Sequence, residues 1–308
     1  MITEFAGQTA VLTGAGSGFG LEVARVAAQR GMNLVLVDVQ ADALAAAEAE
    51  LSAVCATQGR AVMARKVDVS DAAAMETLAA DVVERFGAPA VVFNNAGVGS
   101  GGLIWESSVA DWNWVLGVNL WGVIHGVRCF TPHMLAAAKA DPTWRGHLVN
   151  TASMAGLLTP PNMATYNVSK HAVVALTETL YQDLALVTTQ VGASVLCPYF
   201  VPTGIAHSER NRPAGLPEEK PTTSQLINQA MSVKAVSSGK VTAADIARLV
   251  FGAMESGQFY IYSHPHALGN VAQRMTAIVN QTNPPDPFAE RPEVGQRLRD
   301  AINGTAAW

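Results

Sequence analysis

The sequence predicts an α/β protein built on a doubly wound parallel sheet. Short β-branched runs alternate along the 308 residues with longer, Ala-rich segments of helical periodicity. Strands that are apolar throughout and separated by helices are typical of a parallel sheet covered on both faces. A glycine-rich turn also joins the first run to the first helical segment. We therefore expect one sheet of seven strands.

Each predicted strand is a short apolar run between two helix-length segments. In chain order the runs are QTAVLT at 8–13, NLVLVD at 33–38, AVMARK at 61–66, AVVFNN at 90–95, HLVNTA at 147–152, ASVLCP at 193–198 and QFYIYS at 258–263. These runs assign residues 1–263 to one catalytic domain. Within it the polar, Pro-rich segment 203–240 follows the sixth strand, at the edge where such sheets bind ligands, and is a candidate substrate lid. Residues 264–308 form a helical C-terminal extension.

Composition narrows the class of function. The net charge is −5 and the pI is near 5.8, so there is no basic cluster for nucleic acid or an anionic membrane surface. The cysteines Cys55, Cys129 and Cys197 lack metal-ligand spacing, and we expect no metal. No apolar run approaches a membrane span, and the N-terminus lacks the pattern of a signal peptide. We expect a cytoplasmic protein that acts on a small molecule.

The first strand runs into 13-TGAGSGFGLEVA-24. Gly14 permits a tight turn, Gly18 lets the backbone approach a pyrophosphate, and Gly20 lets the helix pack on the strand. Phosphates would lie at the start of the helix, beside Ser17 and Phe19. The turn therefore predicts a dinucleotide site.

Asp38 ends the second strand, 24 residues after Gly14. A carboxylate there can accept hydrogen bonds from both adenosine ribose hydroxyls and repels the 2′-phosphate of NADP. The flanking residues Ser17 and Val39 supply no base to neutralise that phosphate, so NAD is favoured over NADP. Alternatively, Asp38 caps the helix predicted at 41–54.

Tyr166 and Lys170 in 163-MATYNVSKHAV-173 lie one helical turn apart. A nearby ammonium would lower the pKa of the phenol, which is otherwise a poor proton donor or acceptor at neutral pH. An isolated pair at this spacing more often simply shares the exposed face of an amphipathic helix, so the pair alone does not decide the function.

Other motifs complete an ordered set. They are Asp68 and Val69 in 67-VDVS-70, Asn95, Ala96 and Gly97 in 94-NNAG-97, Asn119 in 118-VNLWG-122 and Ser153 in 150-NTASMAG-156. With TGAGSGFG and 166-YNVSK-170, this order resembles the short-chain dehydrogenases/reductases, oxidoreductases with a Rossmann fold, over roughly residues 5–262. The resemblance makes Asp68 the adenine-contacting acid.

The resemblance also implies catalytic roles for four residues. Tyr166 would be the general acid/base, made acidic by Lys170 and by the oxidised nicotinamide, and Lys170 would also bind the nicotinamide ribose. Ser153 would donate a hydrogen bond to the substrate oxygen, and Asn119 would hold a water on the proton path. Ser153 could instead cap a helix, and Asn119 could bend one.

The segment 198-PYFVPT-203 departs from the family pattern. It keeps the cofactor-contacting Pro198 and Thr203 but places Tyr199 where the family has glycine. The tyrosine would either shape a narrow or aromatic pocket or pack beneath the lid.

The predicted substrate pocket follows the catalytic positions and the lid. Its residues are Met154, Ala155, Leu157, Tyr199, Phe200, His207 and the loop from Gly99 to Leu103. This mostly apolar set favours a neutral hydrophobic secondary alcohol or ketone. His207 would either bond a second polar group or be a solvated loop residue.

The extension reads as two helices separated at an Asn-Pro-Pro turn. It loosely resembles the tails of longer bacterial dehydrogenases of aryl or alicyclic secondary alcohols, and would close over the pocket or pack on a neighbouring subunit. His264 and His266 at its start fit a pocket wall or surface better than a metal site.

The family resemblance implies a homodimer or homotetramer through the apolar helical segments 114–127 and 171–187. Other functions left open are reduction of an enoyl or imine group and a non-catalytic dinucleotide-binding sensor.

Overall fold

A computed structural model describes residues 1–216 and 220–305. It contains one seven-stranded sheet in which all paired strands are parallel. The strands are β1 (Thr9–Thr13), β2 (Asn33–Asp38), β3 (Val62–Lys66), β4 (Val91–Asn94), β5 (Gly146–Thr151), β6 (Val191–Cys197) and β7 (Tyr260–Tyr262). The predicted doubly wound fold is thus confirmed.

Ten α-helices are present in the described residues. They are α1 (Gly18–Gln29), α2 (Ala41–Ala56), α3 (Ala72–Phe86), α4 (Val109–Leu116), α5 (Gly122–Ala140), α6 (Ala164–Val187), α7 (Thr223–Ser237), α8 (Ala243–Ser256), α9 (Leu268–Val279) and α10 (Pro292–Ile302). A π-helical turn, Gly117–Trp121, joins α4 to α5. None of these helices has the length and apolar content to cross a membrane.

The helices cover both faces of the sheet. On one face α1, α2 and α8 bury Val23, Leu44 and Phe251 against the strands. On the other face α3, α5 and α6 bury residues such as Met75 and Phe130. Every residue of β1, β4 and β5 is buried, which explains why these strands read as continuous apolar runs rather than alternating ones.

The strand order β3-β2-β1-β4-β5-β6-β7 reverses direction between β1 and β4. The connections that leave the carboxyl ends of these two strands run to opposite sides of the sheet, which opens a crevice between them. The loops after β2, β5 and β6 end at the same edge. Sequence segments far apart in the chain therefore meet here.

Two further layers lie beyond this edge. The lid segment contains a 3₁₀ turn, Gly204–Asn211, and α7. In the extension, Leu298 and Ala301 of α10 pack against Ile227 of α7, so α10 supports the lid within one chain. One turn of α9, including Val271, packs on the cluster that contains Leu157.

Candidate active site

One cavity at the carboxyl edge of the sheet brings together the predicted cofactor residues from six sequence segments. All of them except Gly20 line it. They are Gly14, Ser17, Gly18, Phe19, Asp38, Asp68, Val69, Asn95, Ala96, Gly97, Tyr166, Lys170, Pro198 and Thr203.

The glycine turn has the geometry that its sequence predicts. Gly14 and Gly18 have φ of 67° and 54°, a region that favours glycine. A Cβ at Gly20 would lie 2.0 Å from the carbonyl oxygen of Gly14, so only glycine allows α1 to start this close to β1. The start of α1 carries no side-chain cap from Ser17 and no acid in its first turn. Its N–H groups and dipole are thus available to an anion.

Two carboxylates, Asp38 and Asp68, line the groove. Asp38 accepts hydrogen bonds from the N–H groups of Gly16 and Gln40, both at 2.9 Å. Asp68 accepts from the N–H of Ser70 at 2.9 Å and from its hydroxyl at 2.7 Å. Local turns therefore fix both acids at the edge of the sheet. The N-cap of α2 is Gln40 rather than Asp38, and its side chain makes no cap bond.

The 94–97 motif joins the end of β4 to the end of β1 by hydrogen bonds. The Asn95 amide group donates to the Thr13 carbonyl at 3.0 Å, and the Thr13 hydroxyl accepts from the N–H groups of Asn95 and Ala96 at 2.8 and 3.0 Å. This ladder holds the end of β4 against the end of β1. Gly97 then carries the chain toward Lys170, whose Nζ would lie 3.6 Å from a Cβ at that glycine.

Asn119 lies in the π-helical turn and is fully buried. Its Oδ1 accepts from the N–H of Val98 at 2.8 Å, and its Nδ2 donates to the carbonyl of Val98 and the hydroxyl of Ser169 at 3.0 and 3.1 Å. Both amide hydrogens are used. Since π-turns inside α-helices often occur at functional sites, the turn agrees with a role here, but a bound water would need the main-chain groups of Asn119.

Tyr166 and Lys170 line the cavity together, and Ser153 lies beside Tyr166. The Ser153 side chain lies close enough to Tyr166 to lower the pKa of its phenol, and the Ser153 hydroxyl donates to the carbonyl of Pro198 at 3.4 Å. Lys170 is 2% exposed and lies with Nζ 5.6 Å from the centre of the Tyr166 ring. Its ammonium donates to the carbonyl of Thr151 at 2.9 Å. Ser153 also accepts from the N–H of Ala155 at 3.1 Å, so it caps a 3₁₀ turn as well as contacting the tyrosine.

The expected acidification of Tyr166 concerns the combined effect of Lys170 and an oxidised cofactor. In the protein by itself, burial raises the pKa of Tyr166 to about 12, and the nearby Ser153 side chain lowers it only in part. Burial also lowers the pKa of Lys170 to about 8. Removing water from around the phenol disfavours its anion.

None of the six predicted substrate-pocket residues lines this cavity. Met154, Ala155 and Leu157 are buried beside Ser153, whereas His207 is exposed. Tyr199 and Phe200 are each 38% exposed. On the loop after β4, Gly99 donates to the hydroxyl of Ser208 at 2.8 Å, and Leu103 to that of Ser224 at 2.9 Å. These two bonds tie the loop to the lid.

Tyr199 lies between β6 and the lid and faces the extension. Its N–H donates to the hydroxyl of Ser263 at 2.9 Å, and its ring contacts Phe200 and His264 with centroids 4.2 and 5.9 Å apart. His264 in turn bonds Ser263 through Nδ1 at 2.7 Å and meets His266 edge to face. The departure from glycine therefore builds an aromatic rim where the lid and extension meet.

Several residues that line the cavity were not among the residues predicted from the sequence. They are Val39, Gln40, Ala43, Val67, Val98, Val118, Thr151, Ala152, Gly204, Ile205, Ser208, Arg210 and Asn211. Many adjoin predicted residues and could have been found from that adjacency. Arg210 and Asn211 could not have been predicted from adjacency in the sequence, because they line the cavity only as a result of how the lid folds. The sequence argument for NAD considered only Ser17 and Val39 as possible sources of a base, and the structure adds Arg210 to the cavity lining.

Comparison with known proteins agrees with this geometry. The family model described as short chain dehydrogenase matches residues 8–214. A CLA biosynthesis dehydrogenase/reductase of Lactiplantibacillus plantarum is 32% identical over 286 residues, covering 91% of this chain and 96% of the relative. A C alpha-dehydrogenase of Sphingobium sp. is 31% identical over 309 residues, covering 99% of this chain and 94% of the relative.

A solved structure extends the likeness to the whole fold. The crystal structure of a short chain dehydrogenase/reductase from Burkholderia phymatum, in complex with NAD, is 50% identical and superposes with a TM-score of 0.88. It covers 94% of this chain and 100% of its own. The chain belongs to the short-chain dehydrogenase/reductase family of oxidoreductases.

Proposed function

We propose that this protein is an NAD(H)-dependent oxidoreductase that transfers a hydride between nicotinamide and a neutral, hydrophobic secondary alcohol or ketone. The observation that supports it best is the position of Tyr166 and Lys170. Both line the same cavity as Asp38 and the uncapped start of α1. A proton-transfer group therefore adjoins the groove whose residues fit a dinucleotide.

The residues of the groove fit NAD. The N–H groups at the start of α1 suit the diphosphate, and Asp38 suits the adenosine ribose hydroxyls. Asp68 lines the groove farther along the adenosine side. The NAD complex of the Burkholderia phymatum relative supports this cofactor.

Bound NAD would supply the hydride chemistry at its nicotinamide ring. Tyr166 would take the hydroxyl proton of the alcohol during oxidation and return it to the ketone oxygen during reduction. Ser153 would donate a hydrogen bond to that oxygen, where negative charge develops. Lys170 would hold the nicotinamide ribose and, while protonated, stabilise the tyrosinate.

The raised pKa of Tyr166 affects ketone reduction and alcohol oxidation differently. A phenol with a pKa of about 12 is fully protonated near neutral pH. It is therefore ready to act as an acid in ketone reduction. Alcohol oxidation needs the phenolate, so it depends on the combined positive charge of Lys170 and the oxidised cofactor.

The test is nicotinamide absorbance at mildly alkaline pH with NAD or NADP and a panel of neutral secondary alcohols, aryl and alicyclic included. Wild type should turn over with NAD. Tyr166→Phe should lose at least about 100-fold in kcat, the usual contribution of a general acid/base, while binding NADH with unchanged affinity.

Tyr181→Phe is the matched control, because Tyr181 lies on the same helix and is 44% exposed. It should retain wild-type turnover. Undiminished turnover by Tyr166→Phe would refute the assigned role. Tight NADH binding without turnover of any alcohol would favour enoyl or imine reduction, or a sensor.

We also propose a homodimer or homotetramer formed through the helical segments 114–127 and 171–187. Trp121 is 51% exposed on the first segment, and Leu186 is 83% exposed on the second. Apolar side chains so exposed fit a surface that a second subunit covers. Light scattering on the eluting protein measures its mass, and a monomer at micromolar concentration would contradict the proposal.

A further inference from the structure

The start of the lid crosses the mouth of the cofactor groove. Five residues of its 3₁₀ turn, Gly204, Ile205, Ser208, Arg210 and Asn211, line the same cavity as the glycine turn and Asp38. A segment expected to cover substrate thus also covers the path of a dinucleotide. Among these five residues only Arg210 carries a charge.

Arg210 is held in place by its own loop. Its Nη1 donates to the carbonyl groups of Gly204 and His207 at 2.7 and 2.6 Å. A Cβ at Gly204 would lie 2.8 Å from Nη2 of the arginine, so the guanidinium rests on this glycine. The preceding residue, Thr203, lies with its methyl group 3.4 Å from the position of a Cβ at Gly18. A short chain of contacts therefore connects the guanidinium to the anion-binding end of α1.

The charge of Arg210 is not neutralised by the part of the protein that the structure describes. Within residues 1–216 and 220–305, no acidic side chain lies within 4.0 Å of its guanidinium. By contrast, Arg212 two residues on forms an ion pair with Asp111 at 2.8 Å. Arg212 thus anchors the lid to α4, whereas within the described residues the Nε and Nη2 hydrogens of Arg210 have no hydrogen-bond acceptor. Two phosphates at the start of α1 would supply oxygens of opposite charge.

A second contact closes the adenosine end of the groove. The Gln40 amide group donates to the side-chain oxygen of Asn211 at 2.6 Å and approaches the carbonyl of Arg210 at 3.4 Å. The N–H of the same Gln40 donates to Asp38 at 2.9 Å. The lid is therefore joined to the end of β2 beside the acid proposed to hold the ribose.

We propose that the lid is a cofactor clamp, in which Arg210 binds the diphosphate of NAD and the Gln40–Asn211 hydrogen bond closes the lid over the adenosine half. The inference rests on the proposed use of NAD. Binding of the diphosphate would draw the same lid that covers the substrate toward the groove. Release of the cofactor would require the Gln40–Asn211 bond to open.

The first experiment measures NADH affinity by fluorescence titration and displacement by two probes, ADP-ribose and adenosine. Arg210→Gln should weaken NADH and ADP-ribose about 10-fold, as expected for one charge-assisted hydrogen bond at a partly exposed site. Adenosine, which lacks phosphates, should lose less than about 2-fold, and the NADH affinity of this variant should depend less steeply on salt. Arg210→Lys keeps the charge and should stay within about 3-fold of wild type.

The matched control is Arg248→Gln. Arg248 lies on α8, and its side chain is 67% exposed and paired with Asp245. This substitution should leave the affinities for NADH, ADP-ribose and adenosine unchanged. Equal losses for ADP-ribose and adenosine would show that Arg210 only shapes the loop and would overturn the proposal. A loss confined to NADPH would place the guanidinium at the ribose 2′-position and would overturn it too.

The second experiment tests the closure by stopped-flow release of NADH. Asn211→Ala should raise the release rate about 5-fold, the effect of one lost hydrogen bond, with a smaller change in the association rate. An unchanged release rate would overturn the closing role of Gln40 and Asn211. These measurements need no alcohol, so absence of turnover would refute the proposed reaction and leave them intact. Failure of the wild type to bind NADH would overturn both proposals.

Discussion

Replacing Lys170 with methionine should stabilise the fold while it removes activity. Lys170 is 2% exposed, and burial lowers the pKa of its amine from 10.5 to about 8. At pH 7 the folded protein holds a buried ammonium that the unfolded chain exposes to water. Methionine has a similar length and no charge, so Lys170→Met removes this penalty.

The size of the effect follows from the two pKa values. A difference of about 2.5 pH units corresponds to about 3 kcal/mol of destabilisation at pH 7, where both states carry the proton. At pH 9.5 the folded amine is neutral and only the unfolded one is largely protonated, so about 1 kcal/mol remains. The sign is that the wild type becomes more stable as the pH rises through this window. Loss of the bond to the Thr151 carbonyl costs the variant about 1 kcal/mol at either pH.

Lys170→Met should therefore be about 2 kcal/mol more stable than wild type at pH 7 and nearly equal to it at pH 9.5. Urea unfolding followed by far-UV circular dichroism at the two pH values measures this. Lys240→Met, at an exposed position before α8, controls for the loss of a surface charge and should show no such convergence. A stability gap for Lys170→Met that stays constant or widens between pH 7 and 9.5 would refute the reasoning.

Two further predictions concern the groove. Asp38→Ala should weaken NADH about 10-fold, by loss of hydrogen bonds to the ribose hydroxyls, and should reduce the preference over NADPH. A wild type that already binds NADPH more tightly than NADH would contradict this assignment. Gly20→Ala should destabilise the fold by at least about 3 kcal/mol in urea unfolding, because its Cβ would lie 2.0 Å from the Gly14 carbonyl oxygen. In the control Gly252→Ala, a Cβ in α8 meets nothing within 4 Å, so the variant should gain about 0.8 kcal/mol of stability. Equal effects at the two glycines would contradict the packing argument.

The fold could be predicted from sequence because its signals are local. A buried parallel strand needs only a short apolar run, and all seven such runs became strands in one sheet. The run predicted at 193–198 begins two residues earlier, at Val191. Helix α2 continues two residues past the predicted end, to Ala56. Strand and helix ends depend on neighbouring contacts that a local pattern does not contain.

Much of the cofactor groove could also be predicted from the sequence. Gly14 and Gly18 could be placed because a tight turn after a strand requires glycines with positive φ. Asp38 could be placed because an acid at the end of the second strand suits the ribose hydroxyls of a dinucleotide. The order of the family motifs added Ser153, Tyr166 and Lys170. These residues meet because parallel strands bring all their carboxyl ends to one edge.

Only the tertiary structure decided the electrostatics and the covering of the site. The pKa of Tyr166 depends on how much water its neighbours exclude, which the spacing to Lys170 does not specify. Arg210 reaches the groove because the lid folds back over α1, and Tyr199 faces His264 because the extension returns to the lid. These contacts join residues that are distant in the chain. Periodicity and turn chemistry act over a few residues, so the sequence by itself determined the sheet and its glycine turn but left these long-range contacts open.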